Sequence, residues 1–330
     1  MELPLPLEEV IESPDSNGSA PKRPRKLRWT DFAGSFLSRA VNPLQWLRAI
    51  GLQRGRKANR HLFDDAQLAL YAKILPSDFL HYGYFDDTQL RPEDMSLAGI
   101  GQAQRRYAEL LLDLVVNPTD TVLDIGCGMG GLCRMLNDRG IQAVALTPDR
   151  LQASHVRATQ PKVPVIRCKF EALPAEEHRA AFGTVITSES LQYLKLAQAL
   201  PILRTILKPG GRWIACDYFH SRPSDDRSCH VWDEFTAQLA GDGWKIISQR
   251  DITANVLPML RYVHMWATRF GVPLMQFAFL RLRRKQPAIH HMAGGVIERL
   301  EQLAADHIGL IDPEKFSRNK RYMLCAIVRA

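Results

Sequence analysis

Hydrophobic and polar positions along this chain follow two periods, and the two alternate. Over SLAGIGQAQRRYAELLLDLV apolar residues return every three or four positions, which predicts a helix over Leu97–Val115. A shorter stretch, Leu68–Leu75, has the same period. Elsewhere short apolar runs, bounded by turn residues, predict strands at Thr121–Ile125, Gln142–Leu146, Val163–Cys168, Thr184–Thr187, Arg212–Phe219 and Trp244–Asp251. Helical pattern fills Leu132–Asn137 and His230–Ala240, and the chain closes on RYMLCAIVRA, a further strand. Such alternation argues for a doubly wound α/β sheet.

Two regions depart from that pattern. Residues 1–26 carry Pro, Ser, Gly and charge with little periodicity, so a flexible tail is expected. Next, Phe32, Phe36 and Ala40 fall one helical turn apart, Asn42-Pro43 reads as a helix start, and Leu44, Leu47 and Ile50 continue an apolar face. Residues 27–60 therefore read as a basic amphipathic helical extension. Towards the other end, Thr253–Lys320 is too long for a plain loop and largely helical in pattern. It holds Met259, Tyr262, Trp266, Phe270 and Met275, then Phe277-Ala278-Phe279-Leu280 running into RLRRK. The expected order is a tail 1–26, the extension 27–60, an α/β domain 61–252, a helical lid 253–320 and a final strand 321–330.

Composition sharpens this outline. The chain has 330 residues, 46% of them apolar, enough for a substantial core. Its net charge of +8 is concentrated. From Lys22 to Arg60 lie Lys22, Arg23, Arg25, Lys26, Arg28, Arg39, Arg48, Arg54, Arg56, Lys57 and Arg60 against one acid, Asp31. Interleaved Trp29, Phe32, Leu37 and Trp46 make an anionic membrane surface an expected partner of residues 22–60. Packing of the same helices on the α/β domain is the other reading. No recognised nucleic-acid module accompanies the charge, so no nucleic-acid partner is expected. No apolar run approaches the ~20 residues of a spanning helix. Six cysteines are scattered without a C-x-x-C pair, and no secretory pattern is visible. A reducing cytoplasm is expected, with peripheral attachment to the inner face of the membrane.

The chemistry concentrates in VLDIGCGMGG, Val122–Gly131. A strand there ends in a turn of glycines and passes into a helix, so a ligand can approach the backbone over a helix N-terminus. Gly126, Gly128 and Gly131 also fit G-x-G-x-x-G, so spacing alone leaves a dinucleotide-dependent oxidoreductase open. Asp124 precedes the first glycine by two positions, helical sequence precedes the strand, and LKPGG follows at Leu207–Gly211. Over residues 70–330 this order resembles the class I S-adenosylmethionine (SAM)-dependent methyltransferases.

That resemblance implies a Rossmann-like, seven-stranded sheet whose last strand runs antiparallel between strands 5 and 6. It implies SAM as cofactor and no metal. Asp124, Gly126, Cys127, Gly128 and Gly130 would meet the cofactor's amino-acid end, as would Gln104. Ala145 stands where relatives carry a ribose-binding acid, which leaves Thr147 or backbone for that task. Phe170 and Glu171 would flank the adenine, with Lys169 replacing the usual aspartate.

DFLHYGYFDD at Asp78–Asp87, Asp251–Thr253 and the closing KRYMLCAIVRA narrow the resemblance to sterol, tocopherol and small-lipid methyltransferases. It implies an apolar lipid-like acceptor, with His81, Tyr82 and Tyr84 near the reacting methyl. ITSESLQYL brings Ser188, Glu189 and Tyr193 to the same place, and Glu189 is the carboxylate suited to remove a proton after C-methylation. O- or N-methylation of a lipophilic or phospholipid acceptor is the alternative. Cyclopropane-lipid synthases are related, but Gln192 stands where they carry a glutamate. A catalytically inactive SAM-fold binding protein is the reading from a different class.

Overall fold

The structure, a computed structural model, describes residues 77–224, 226 and 228–330. The helices expected at 27–60 and Leu68–Leu75, and the membrane contact expected of 22–60, lie outside the described residues.

Among the described residues seven strands form one sheet in the order β3-β2-β1-β4-β5-β7-β6. They are β1 (Val122–Ile125), β2 (Ala143–Leu146), β3 (Val165–Ile166), β4 (Phe182–Ser188), β5 (Leu207–His220), β6 (Trp244–Asp251) and β7 (Lys320–Arg329). Strands β1 to β5 are parallel, and β7 runs antiparallel between β5 and β6. The helices that follow strands are α2 (Gly131–Asp138), α3 (Arg150–Thr159), α4 (Leu196–Ile206) and α5 (Trp232–Gly241); α1 (Leu97–Leu112) precedes β1. This is the Rossmann-like methyltransferase topology that the motif order implied.

Alternation along the strands distributes side chains to two cores. On β5, Trp213, Ala215 and Phe219 join Leu123, Ile125, Leu203 and Phe235 on one face. Ile214 and Cys216 join Tyr107, Leu111, Leu136 and Tyr322 on the other. Strand β1 is buried at all four positions, as a central parallel strand covered on both faces must be.

Local chemistry sets the boundaries. Ser96 caps α1 by accepting from the Gly99 amide at 3.0 Å. The helix stops at Leu112 rather than Val115, and Pro118 lies just beyond. Strand β3 is shorter than expected because it is an edge strand and Pro164 ahead of it has no amide hydrogen. Strand β5 is longer: LKPGG is its first part, joined through a register shift between Phe182 and Thr184.

Between β6 and β7 the chain is helical throughout: α6 (Thr253–Trp266), a π turn (Ala267–Gly271), α7 (Val272–Lys285), α8 (Pro287–Met292), α9 (Gly294–Leu310) and α10 (Pro313–Asn319).

Candidate active site

A cleft of about 540 Å³ opens over the carboxyl ends of β1, β2 and β4. Its floor is the glycine turn. Gly126 has φ +77°, and a Cβ there would stand 2.5 Å from the Ser190 Cβ. Any side chain at this position collides with the β4 turn as well as straining its own backbone. Ser190 locks the two turns together by donating from Oγ to the Ile125 carbonyl at 2.6 Å. Asp124 lies buried beside the turn, accepts a weak bond from Cys133 Sγ at 3.5 Å, and is pushed up to about 7 by burial. At the end of β2, Thr147 Oγ1 donates to Gln152 Oε1 at 2.6 Å, and Asp149 caps α3 through the Gln152 amide at 2.8 Å.

The opposite wall is the aromatic loop 78–85. Gln104 of α1 holds it: its amide nitrogen donates to the carbonyls of Phe79 (3.2 Å) and His81 (2.9 Å), and its oxygen accepts from Ser77. His81 stacks on Tyr107 with centroids 4.1 Å apart. Among the described residues neither of its ring nitrogens has a hydrogen-bond partner, and burial lowers it to about 3, so the imidazole is neutral at physiological pH.

Glu189 sits where loop, sheet and cleft meet. It follows β4 directly with φ +49°, a left-handed conformation unusual for a side-chain-bearing residue. One carboxylate oxygen accepts from the Tyr82 amide at 3.0 Å and from the Tyr322 hydroxyl at 2.6 Å. Tyr322 Oη lies 3.0 Å from Tyr107 Oη, to which Ser188 Oγ donates at 3.2 Å. Burial raises Glu189 to about 7 against the opposing hydrogen bonds from Tyr322 and Tyr82. The result is a desolvated carboxyl, held by two donors, with a pKa near neutrality.

Residues 123–215 match a family described as a methyltransferase domain. Residues 123–215, from β1 into β5, are thus a methyltransferase domain. A probable phthiotriol/phenolphthiotriol dimycocerosates methyltransferase 2 of Mycobacterium ulcerans (strain Agy99) is 28% identical over 187 residues, 54% of this chain and 67% of that protein. A 2-methyl-6-phytyl-1,4-hydroquinone methyltransferase of Synechocystis sp. (strain ATCC 27184 / PCC 6803 / Kazusa) is 27% identical over 176 residues, 51% of this chain and 52% of that protein. The chain thus spans between half and two thirds of these relatives. In fold it is similar to the geranyl diphosphate C-methyltransferase of Streptomyces coelicolor A3(2): TM-score 0.55, 20% identity, 76% of this chain and 88% of that one.

Not every expected site residue reaches the cleft. Asp124, Gly126, Cys127, Gly128, Thr147, Ser188, Glu189, His81 and Tyr193 line it. Tyr193 stands at the rim, 76% exposed. Tyr82 is half-buried behind Glu189, edge-on to Tyr322 at 6.4 Å. Four expected cofactor contacts and one loop aromatic lie elsewhere. Gln104 is buried behind the loop, its amide committed to loop groups. Gly130 faces Val156 and Gln160. Phe170 is core, and Glu171 accepts from the Lys195 amide. Tyr84 turns away to Arg250, whose guanidinium donates to its hydroxyl and covers its ring. Conversely, Leu80, Asp149 and Gln152 line the cleft, and Tyr322 and Tyr107 support Glu189. Asp149 stands four residues after Ala145, so an acid is available past β2, displaced into the α3 cap.

Proposed function

We propose that this enzyme transfers the SAM methyl group to a carbon atom of an apolar, lipid-like acceptor, with Glu189 as general base. The observation that carries the reading is the Glu189 carboxyl: partly buried, with a pKa raised to about 7, and positioned between the glycine-turn cleft and an aromatic loop.

The cleft's donors and acceptors fit the cofactor. Asp124 and the amides of the Gly126–Gly128 turn suit its amino-acid end. Asp149, Thr147 and Gln152 suit ribose hydroxyls. The rings of Phe79 and His81 line the same cleft and are 5.1 Å apart. A neutral imidazole beside a phenyl ring accommodates a sulfonium by cation–π attraction, without the repulsion an imidazolium would bring. The bound cofactor supplies an electrophilic methyl group.

What the protein's residues do then follows. Alignment and exclusion of water account for much of the rate. The loop 78–85 closes one side of the cleft, clamped by Gln104. Glu189 in its carboxylate form accepts the proton that a methylated carbon must shed. The two hydrogen bonds from Tyr322 and Tyr82 fix its orientation. Helices α6–α10 serve as a lid on the acceptor side. An apolar acceptor is supported by the two sequence relatives, whose names carry dimycocerosate and phytyl groups.

The test is transfer from SAM with a ¹³C-labelled methyl to a fractionated lipid extract. Label is expected in the apolar fraction, with a ¹³C shift typical of a carbon-bound methyl. Label confined to polar metabolites or to protein would overturn the acceptor class, and an oxygen- or nitrogen-bound methyl would overturn the base role. Tight NAD(P)H binding without SAM binding would overturn the whole reading.

A further inference from the structure

Helix α7 breaks the rule that a surface helix turns polar residues outward. None of its residues is buried. Its partly covered side is apolar: Val272, Met275, Phe279 and Leu282. Its outward side is apolar too. Leu274 is 70% exposed, Phe277 58% and Leu280 63%, and Phe270 and Trp266 extend the stripe through the π turn. Scattered exposed leucines are ordinary, but a continuous stripe with two large aromatics marks a contact surface.

Along α7 the charge has one sign, and the acid that meets the π turn, Glu93, is paired with Arg269 at 2.8 Å. No Asp or Glu occurs between Asp251 and Glu298. Helix α7 ends in Arg281, Arg283, Arg284 and Lys285, all exposed and, among the described residues, paired with no acid. The occupant must therefore be apolar along the stripe and anionic at its rim. A second copy of the chain would bring the same cations and no acids from this helix. An anionic bilayer surface supplies both halves. At 1.5 Å per residue the helix is about 21 Å long, too short to span a bilayer but suited to lie in its plane. Among the described residues no helix is long and apolar enough to cross a membrane. Arg and Lys at its end can extend their heads to phosphates while their stems follow the apolar face.

We propose that α7 docks the enzyme on an anionic lipid surface, with Trp266, Phe270, Leu274, Phe277 and Leu280 in the acyl boundary and Arg281–Lys285 among the headgroups. This inference stands independently of the reaction assigned to Glu189.

Flotation of the full chain tests it, using vesicles of phosphatidylcholine with one quarter phosphatidylglycerol and vesicles of phosphatidylcholine alone. Wild type should float with the anionic vesicles at low salt. L274E/F277E/L280E should bind at least about tenfold more weakly, and R281Q/R283Q/R284Q/K285Q should lose the preference for anionic lipid. Both variants should keep wild-type SAM affinity by calorimetry, because the cleft is untouched. Should the triple variant fail to fold, the single variants Leu274→Glu and Phe277→Glu, at positions already in water, repeat the test. Flotation of both variants like wild type would overturn the proposal and assign attachment to residues 22–60. Absence of wild-type flotation, or a dimer in gel filtration that the triple variant dissociates, would overturn it as well.

Discussion

At the scale of single residues, Glu189 combines a cost with a task. A left-handed backbone and a desolvated carboxyl each oppose folding. Two donors, the Tyr82 amide and the Tyr322 hydroxyl, hold it nonetheless. Glu189→Gln keeps the shape and removes the basicity. It should lower kcat about 10²–10⁴-fold while leaving the SAM dissociation constant unchanged, measured by labelled-methyl transfer and calorimetry. Equal kcat in the variant would leave Glu189 a structural part only. In wild type the working form is the carboxylate, so kcat/KM should rise with pH through an apparent pKa of about 7. Gly128→Val tests the other half of the site. Its φ is +54°, and a Cβ would press on Leu80 Cδ1 at 3.3 Å. A branched side chain there should abolish detectable SAM binding.

At the scale of elements, what the sequence made legible was whatever local period and turn chemistry dictate. The strands β1, β2, β4, β6 and β7 fell where alternation and apolar runs put them, because each is buried on at least part of both faces or paired along its length. Strand ends were less legible where a partner strand decides them, as at Pro164 beside β3 and at the bulge in LKPGG. The glycine turn was readable as a turn because its positive φ values and close approaches require glycine. Gln104 was misplaced for a different reason. A buried amide on a helix face fits a ligand or a loop equally well in sequence, and only the fold shows its nitrogen bonded to Phe79 and His81 carbonyls. Tyr322 gave no signal, since a tyrosine in an apolar strand reads as core until the strand is paired beside β5. The clamp makes its own prediction. Gln104→Ala would leave two loop carbonyls buried without a donor, at a cost of about 1–3 kcal/mol. Hydrogen exchange should rise across residues 78–85, and SAM affinity should fall although Gln104 does not line the cleft. Unchanged exchange there would show that the loop is held by other contacts, such as the Tyr84 amide on the Ala103 carbonyl.

At the scale of the whole molecule, two buried acids and the partly buried Glu189 at one end of the sheet bind protons in the folded state that the unfolded chain releases. Burial raises Asp124 and Glu189 to about 7 and Asp217 to about 8. Their unfolded values lie near 4, so from there upward the folded state carries the excess of protons. Unfolding free energy then falls as pH rises, and the loss continues through the folded values of 7 to 8. His81 acts in the opposite sense. Its folded value is lowered to about 3, so its contribution grows as pH rises and is complete above the unfolded value near 6.5. The acids dominate between about pH 7 and 8, above the unfolded value of His81 and below the range near 8.5 where the unfolded chain's thiols ionise while the buried thiols, raised by desolvation, stay protonated. In that window, the Tm of the ligand-free protein should fall with pH. Asp217 is fixed by the amides of Gln192 and Tyr218 (3.1 and 2.8 Å), bonds that keep the turn after β4 in place. Glu189→Gln should flatten the slope by removing one of the three titrations, without removing the other two. Thermal melts of both proteins at several pH values in that window check this. A wild-type Tm that is level or rising from about pH 7 to 8 would mean that these carboxyls are solvated in solution, and with that the raised basicity on which the role of Glu189 depends would be lost.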